Sequence, residues 1–195
     1  MDLQPEVSLR RFRELGVHDI DEMLNPYRQL GVFHDLEMGL VGREEFVARL
    51  NEHAGTDLTD EQVNEAIMLF LKGVPQYKFD YLEQLRKEYK IYILSNTNPY
   101  IMAYAHSPHF LPATGRTLSD YVDKVYASCE MQTMKPDRAI YEQMIADSGM
   151  VPERTLFIDD STANIEAAAA LGLQTLLAVN ATDWRPALAA RLQCD

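Results

Sequence analysis

The stretch Thr155-Leu156-Phe157-Ile158-Asp159-Asp160-Ser161-Thr162-Ala163-Asn164 runs four β-branched or apolar residues straight into two adjacent carboxylates and then into hydroxyl and amide side chains. Four such residues are too few for a helix and read as a buried strand. The segment Ser161–Leu171 that follows reads as a helix. In an open parallel sheet, ligands gather beyond the carboxyl ends of the strands, where Asp159 and Asp160 stand. Adjacent acids there repel each other unless a cation or a base neutralises them. A magnesium ion suits the pair, because it takes oxygen ligands, keeps several waters and is held by one or two carboxylates plus a substrate phosphate. The plainer alternative is that Asp160 caps the helix at Ser161 and Asp159 merely ends the strand.

Working outward, the same short apolar texture recurs at Ile91–Leu94, Val122–Ala127 and Thr175–Val179. Helical segments are expected at Phe79–Tyr89, Pro136–Ser148 and Asp183–Leu192. Strands alternating with helices imply right-handed crossovers and a parallel sheet covered on both faces. Before residue 78 the texture is different. Val7–Leu15, Ile20–Leu30, Arg43–His53 and Asp60–Leu71 carry apolar residues at three- and four-residue intervals, with breaks at Gly42, Gly55, Gly73 and Pro75. Thr59-Asp60-Glu61-Gln62 reads as a capping box ahead of Val63, Ile67 and Phe70. The expected fold is therefore α/β: a doubly wound parallel-sheet core over residues 79–195, with a small all-helical cap over residues 6–78.

Two further clusters lie where this topology places ligands. Ser95-Asn96-Thr97-Asn98 follows the first core strand and precedes Pro99 at a helix start, and a helix amino end with free N–H groups suits a phosphate. The same residues are ordinary caps, so a capped helix and nothing more is the competing reading. In Met134-Lys135-Pro136-Asp137 a lysine stands directly before a proline expected in the first turn of the next helix. A lone lysine is ordinarily solvated, and on that ground Lys135→Ala is expected to leave stability unchanged or slightly raised.

The 195 residues are 47% hydrophobic, which excludes a disordered chain, and carry 30 acidic against 18 basic side chains. The resulting charge of −12 repels polyphosphate and anionic lipid, so nucleic acid and membrane are not expected partners. No run of about 18 apolar residues occurs. Met1-Asp2-Leu3-Gln4-Pro5-Glu6 lacks the basic start and apolar stretch of a signal peptide, and Cys129 and Cys194 are too few for a disulfide framework. A cytoplasmic protein is expected. The five histidines lack metal-ligand spacing, and no motif places a base beside Cys129.

Taken in order, Ile93-Leu94-Ser95-Asn96-Thr97, Lys135-Pro136 and Phe157-Ile158-Asp159-Asp160-Ser161 with Asn164 resemble the second, third and fourth motifs of the haloacid dehalogenase superfamily. The likeness covers nearly the whole chain and is greatest to the bacterial sugar-phosphatase-like branch with a small helical cap. It implies that Ser95 and Lys135 are catalytic and that Ser95, Asn96, Thr97 and Lys135 bind substrate. It also implies that Asp159, assisted by Asp160, holds Mg2+. The implied reaction passes phosphate from a small phosphorylated metabolite to an aspartate and then to water. In the family that aspartate ends a strand ahead of the cap; Met1-Asp2-Leu3 resembles only the tail of that segment. The nucleophile strand is accordingly expected upstream of Met1, and the chain as written is expected to be inactive.

Three functions remain in competition. The first is a magnesium-dependent phosphatase. The second is a haloacid dehalogenase, which needs no metal and so has little use for paired acids. The third is a non-catalytic scaffold that keeps a phosphate or magnesium site. The sequence leaves the substrate open, and also the oligomeric state, a homo-oligomer included.

Overall fold

The structure, a computed structural model, describes residues 2–24, 30–178 and 182–192. The chain forms two compact units, residues 1–132 and 133–195.

The first unit opens with a short strand, β1 (Asp2–Leu3), that pairs antiparallel with β2 (Leu71–Gly73). Gln4 extends this clasp: its N–H donates to Phe70 O (2.9 Å) and its side-chain amide donates to Leu69 O (3.2 Å). Neither strand is legible as such in the sequence, since two or three residues carry no periodicity. Between them run α1 (Pro5–Glu14), α2 (Ile20–Met23), α3 (Gly31–Glu37), α4 (Arg43–Ala54) and α5 (Asp60–Met68). Pro5 sits in the first turn of α1, where its missing N–H costs nothing. Gly55 ends α4 in the left-handed conformation, φ +67°. The capping box at α5 forms as expected: Gln62 N–H donates to Thr59 Oγ1 (3.3 Å) and Thr59 N–H donates to Gln62 Oε1 (2.9 Å). The helix expected over Ile20–Leu30 stops at Met23, residues 25–29 lying outside the described residues, and α3 occupies a segment in which no helix is expected.

These helices bury Leu9, Phe12, Phe33, Leu36, Phe46, Leu50, Val63 and Ile67 together with Tyr100. An edge-to-face aromatic series runs through that core, Phe12 to Phe33 (5.6 Å), Phe33 to Phe46 (5.0 Å) and Phe46 to Tyr100 (6.2 Å). The boundary expected near residue 78 falls inside the first unit, whose first core also takes in Tyr100. From α6 (Gln76–Leu85) onward Phe79 packs instead with Ala105, Phe110, Tyr121 and Val122.

That second core lies on a parallel pair, β3 (Tyr92–Ser95) and β4 (Lys124–Ala127), in the register Tyr92 opposite Lys124 and Ser95 opposite Ala127. Between the two strands comes α7 (Pro99–Ala105), and after them α8 (Ser128–Met131), a single turn not expected from the sequence. The second unit repeats the arrangement. α9 (Arg138–Ser148) precedes β5 (Leu156–Asp159), which pairs parallel with β6 (Gln174–Leu177) through the crossover helix α10 (Thr162–Ala169), and α11 (Arg185–Leu192) follows. The α/β class and the parallel pairing are as expected, although among the described residues the ladders form two separate two-stranded sheets, β3–β4 and β5–β6. The strand expected to reach Val179 ends at Leu177, and Val179 and Cys194 lie outside the described residues. No helix among the described residues is long and apolar enough to cross a membrane.

Candidate active site

Both parallel pairs carry polar residues at the carboxyl end of the leading strand. In the first unit Ser95 is the last residue of β3, half-buried, with its hydroxyl donating weakly to Asn96 O (3.3 Å). Asn96 is exposed. Thr97, expected among the substrate-binding residues, is only 4% exposed, and its main chain is tied to Ser128. Asn98 caps α7, its Oδ1 accepting from the N–H groups of Tyr100 (3.1 Å) and Ile101 (3.2 Å). The loop thus presents two accessible residues, Ser95 and Asn96, on a base of two buried ones.

Ser128, at the start of α8 and fully buried, holds this loop in place and escaped the sequence reading. Its Oγ accepts from Thr97 N–H (2.9 Å), and its single proton is shared between Glu37 O (2.7 Å) and Thr97 O (3.1 Å). One hydroxyl therefore pins the Ser95–Asn98 loop to the end of α3. Gly39, just past α3, makes that docking close: a Cβ at this position would lie 1.9 Å from the Cys129 carbonyl oxygen.

In the second unit Asp159 is the last residue of β5, and both of its carboxylate oxygens accept hydrogen bonds. Oδ2 accepts from Lys135 Nζ (2.6 Å), while Oδ1 accepts from Ser161 N–H (2.9 Å) and Asn164 Nδ2 (2.9 Å). The two charged side chains are 11% and 7% exposed, so Lys135 is not a solvated surface lysine. Its ammonium lies over the Phe157 ring (5.8 Å), and Phe157 packs edge-on against Tyr141 (5.5 Å). The Tyr141 hydroxyl donates to Asn164 O (3.1 Å); burial, with a smaller contribution from the Asp159 charge, pushes that hydroxyl above the ordinary tyrosine range, so it stays protonated. Pro136 follows Lys135 through a cis peptide bond and precedes the helix, whose N-cap is Asp137; it is not in the first turn as expected. Asp160 differs from its neighbour in being exposed.

Chemically, Asp159 orients Lys135 and the first turn of α10, and Asp160 offers the accessible carboxylate at this strand end. Among the described residues no three His, Cys, Asp or Glu side chains converge as a metal site. A cation here would draw on Asp160, Asp159, water and the substrate, a donor set of hard oxygens that fits magnesium and not a softer metal. Asp2, the first carboxylate of the chain, sits on the antiparallel β1 and pairs with Lys78 Nζ (3.1 Å), which lowers its pKa. It is not at the end of a parallel strand.

The sequence profile of the haloacid dehalogenase-like hydrolases matches residues 8–172. The chain belongs to that family of hydrolases. It is 39% identical to the D-ribitol-5-phosphate phosphatase of Bacteroides thetaiotaomicron over 96% of this chain and 91% of the relative. Among solved structures it resembles a predicted HAD-like family hydrolase from Porphyromonas gingivalis, with a TM-score of 0.93 and 48% identity over 99% of this chain and 92% of that one. It also resembles a HAD family enzyme from Bacteroides thetaiotaomicron, an aspartate-to-alanine mutant in complex with magnesium and inorganic phosphate. There the TM-score is 0.90 and the identity 33%, over 96% and 92% of the two chains.

Proposed function

We propose that these residues serve a magnesium-dependent phosphatase of a small phosphorylated metabolite, a sugar or polyol phosphate. The observation that carries this reading is the strand end of β5, where the Asp159 carboxylate fixes Lys135 while the next carboxylate, Asp160, remains exposed. Lys135 neutralises charge on the phosphoryl group, and Ser95 binds it through its hydroxyl with the Asn96 N–H assisting. Thr97 contributes through the main chain, as the buried anchor of the loop. Asp160 and Asp159 hold the magnesium ion, which when bound supplies charge stabilisation to the phosphoryl oxygens.

The reaction takes two displacements. An aspartate oxygen attacks phosphorus and the ester P–O bond breaks, releasing the alcohol; water then cleaves the aspartyl-phosphate to free inorganic phosphate and restore the carboxylate. In the family resemblance the attacking aspartate ends a core strand of its own. No carboxylate ahead of Ser95 holds such a position among the described residues, so these residues supply binding and charge but not attack. The magnesium and phosphate bound by the Bacteroides thetaiotaomicron enzyme, and the ribitol phosphate of the other relative, support the reading. Dehalogenation is disfavoured, because a metal-free site gains nothing from a second acid beside Asp159.

Calorimetric titration tests it. The chain should bind inorganic phosphate in millimolar magnesium, and Asp160→Asn, at an exposed position, should weaken both ligands at least about tenfold with the fold intact. Unchanged magnesium affinity in that variant would remove Asp160 from the site. Metal-free halide release from a 2-haloacid would overturn the phosphatase reading. Turnover of a polyol phosphate by residues 1–195 alone would place the attacking group within them.

A further inference from the structure

The helical part of the first unit holds a cavity lined by Ser8, Phe33, Glu37, Phe70, Asn98 and Ile101, among others, with about 40 Å³ of space for water-sized groups. That is room for about three such groups at ~10–15 Å³ each. Its walls are largely apolar, and its polar groups are mostly occupied. Ser8 donates to Ala66 O (2.7 Å), and Asn98 Oδ1 caps α7. Glu37 is the exception: among the described residues its carboxylate has no hydrogen-bond or ion-pair partner. The residue is half-buried, and burial pushes its pKa up to about 7.

Glu37 is also held in a fixed relation to the phosphate loop. The hydroxyl of Ser128 that binds Thr97 also donates to the Glu37 carbonyl, and Asn98 of that loop lines the same cavity. Close approach at Gly39 leaves the end of α3 no slack against α8. A substrate with its phosphate at Ser95 keeps that dianion away from the Glu37 carboxyl by repulsion. Its far, uncharged end is the part that suits the cavity.

We propose that Glu37 is a specificity-determining residue that accepts hydrogen bonds from the terminal hydroxyls of a polyol or sugar phosphate. The inference rests on the phosphatase reading above and deepens it. A cavity for about three water-sized groups fits a hydroxymethyl end carrying one or two hydroxyls. Apolar walls around a single acceptor strengthen each hydrogen bond that the ligand donates.

The experiment is a pair of calorimetric titrations, with D-ribitol 5-phosphate and with inorganic phosphate, on the parent chain, Glu37→Gln and Glu37→Leu. Glu37→Gln keeps the shape and removes the charge. Both variants should bind the polyol phosphate about tenfold or more weakly and inorganic phosphate unchanged. Equal polyol phosphate affinity in parent and variants would overturn the proposal, and so would a loss of both ligands by the same factor. Failure of the parent chain to bind inorganic phosphate would instead overturn the phosphatase reading on which it rests.

Discussion

Two carboxylates, one in each unit, differ in what meets their charge. Asp159 ends β5 with both oxygens engaged by Lys135, Ser161 and Asn164, whereas Glu37 ends α3 facing a cavity with no partner among the described residues. The first is a completed network, in which a charge out of water is repaid by an opposite charge and two hydrogen bonds. The second has no such partner, while Ser128 and Gly39 fix the end of its helix. A partnered carboxylate holds geometry for its neighbours; an unpartnered one has both oxygens open to a donor.

The largest expected effect comes from breaking the satisfied network. Lys135→Ala leaves Asp159 buried without its counter-charge and should cost about 3 kcal/mol or more. In a chain of this length that lowers Tm by roughly 6 °C or more, measurable by calorimetry or circular dichroism. This reverses the expectation drawn from the sequence, that the substitution would be neutral or slightly stabilising. The reason is the 2.6 Å pair with both side chains close to fully buried. A change in Tm under 1 °C would show that water reaches Asp159.

Glu37→Gln should act in the other direction. The folded state holds this carboxyl's proton up to about pH 7, against 4.5 for an ordinary glutamate. Its contribution is therefore most favourable below pH 4.5, is lost as pH rises toward 7, and stays lost above. The glutamine variant should be more stable than the parent at pH 8, by on the order of 2 kcal/mol, with the gain shrinking toward pH 5. Urea unfolding at the two pH values measures it, and a pH-independent difference would mean that the carboxyl is solvated.

The smallest effect sharpens the contrast from outside. Arg138 and Glu142 pair on the surface of α9 at 2.7 Å, with both side chains more than half exposed. Arg138→Ala should change stability by no more than about 0.5 kcal/mol, and less at 1 M salt, because water and ions already screen the pair. A larger loss would show that distance alone, without burial, governs these pairs.

Local physics made much of this protein legible from its residues. The apolar run Leu156-Phe157-Ile158 reads as a strand, Thr59 and Gln62 cap α5 as their types require, and Ser95 and Asp159 fall at the ends of strands. These follow from propensities and spacings that act over a few residues. Tertiary structure decided the rest. That Thr97 is buried while Asn96 is exposed depends on Ser128, 31 residues away. That Lys135 is a buried partner depends on Asp159, 24 residues away. The face of α3 bearing Phe33 and Leu36 also bears Glu37, a charge at a core-facing position, and that was the one sequence signal for it. What it faces is set by α1, α5 and the β3 loop closing a cavity around it. A sequence specifies which charge a segment carries, but whether that charge meets a partner, water or an empty cavity is decided by residues far along the chain.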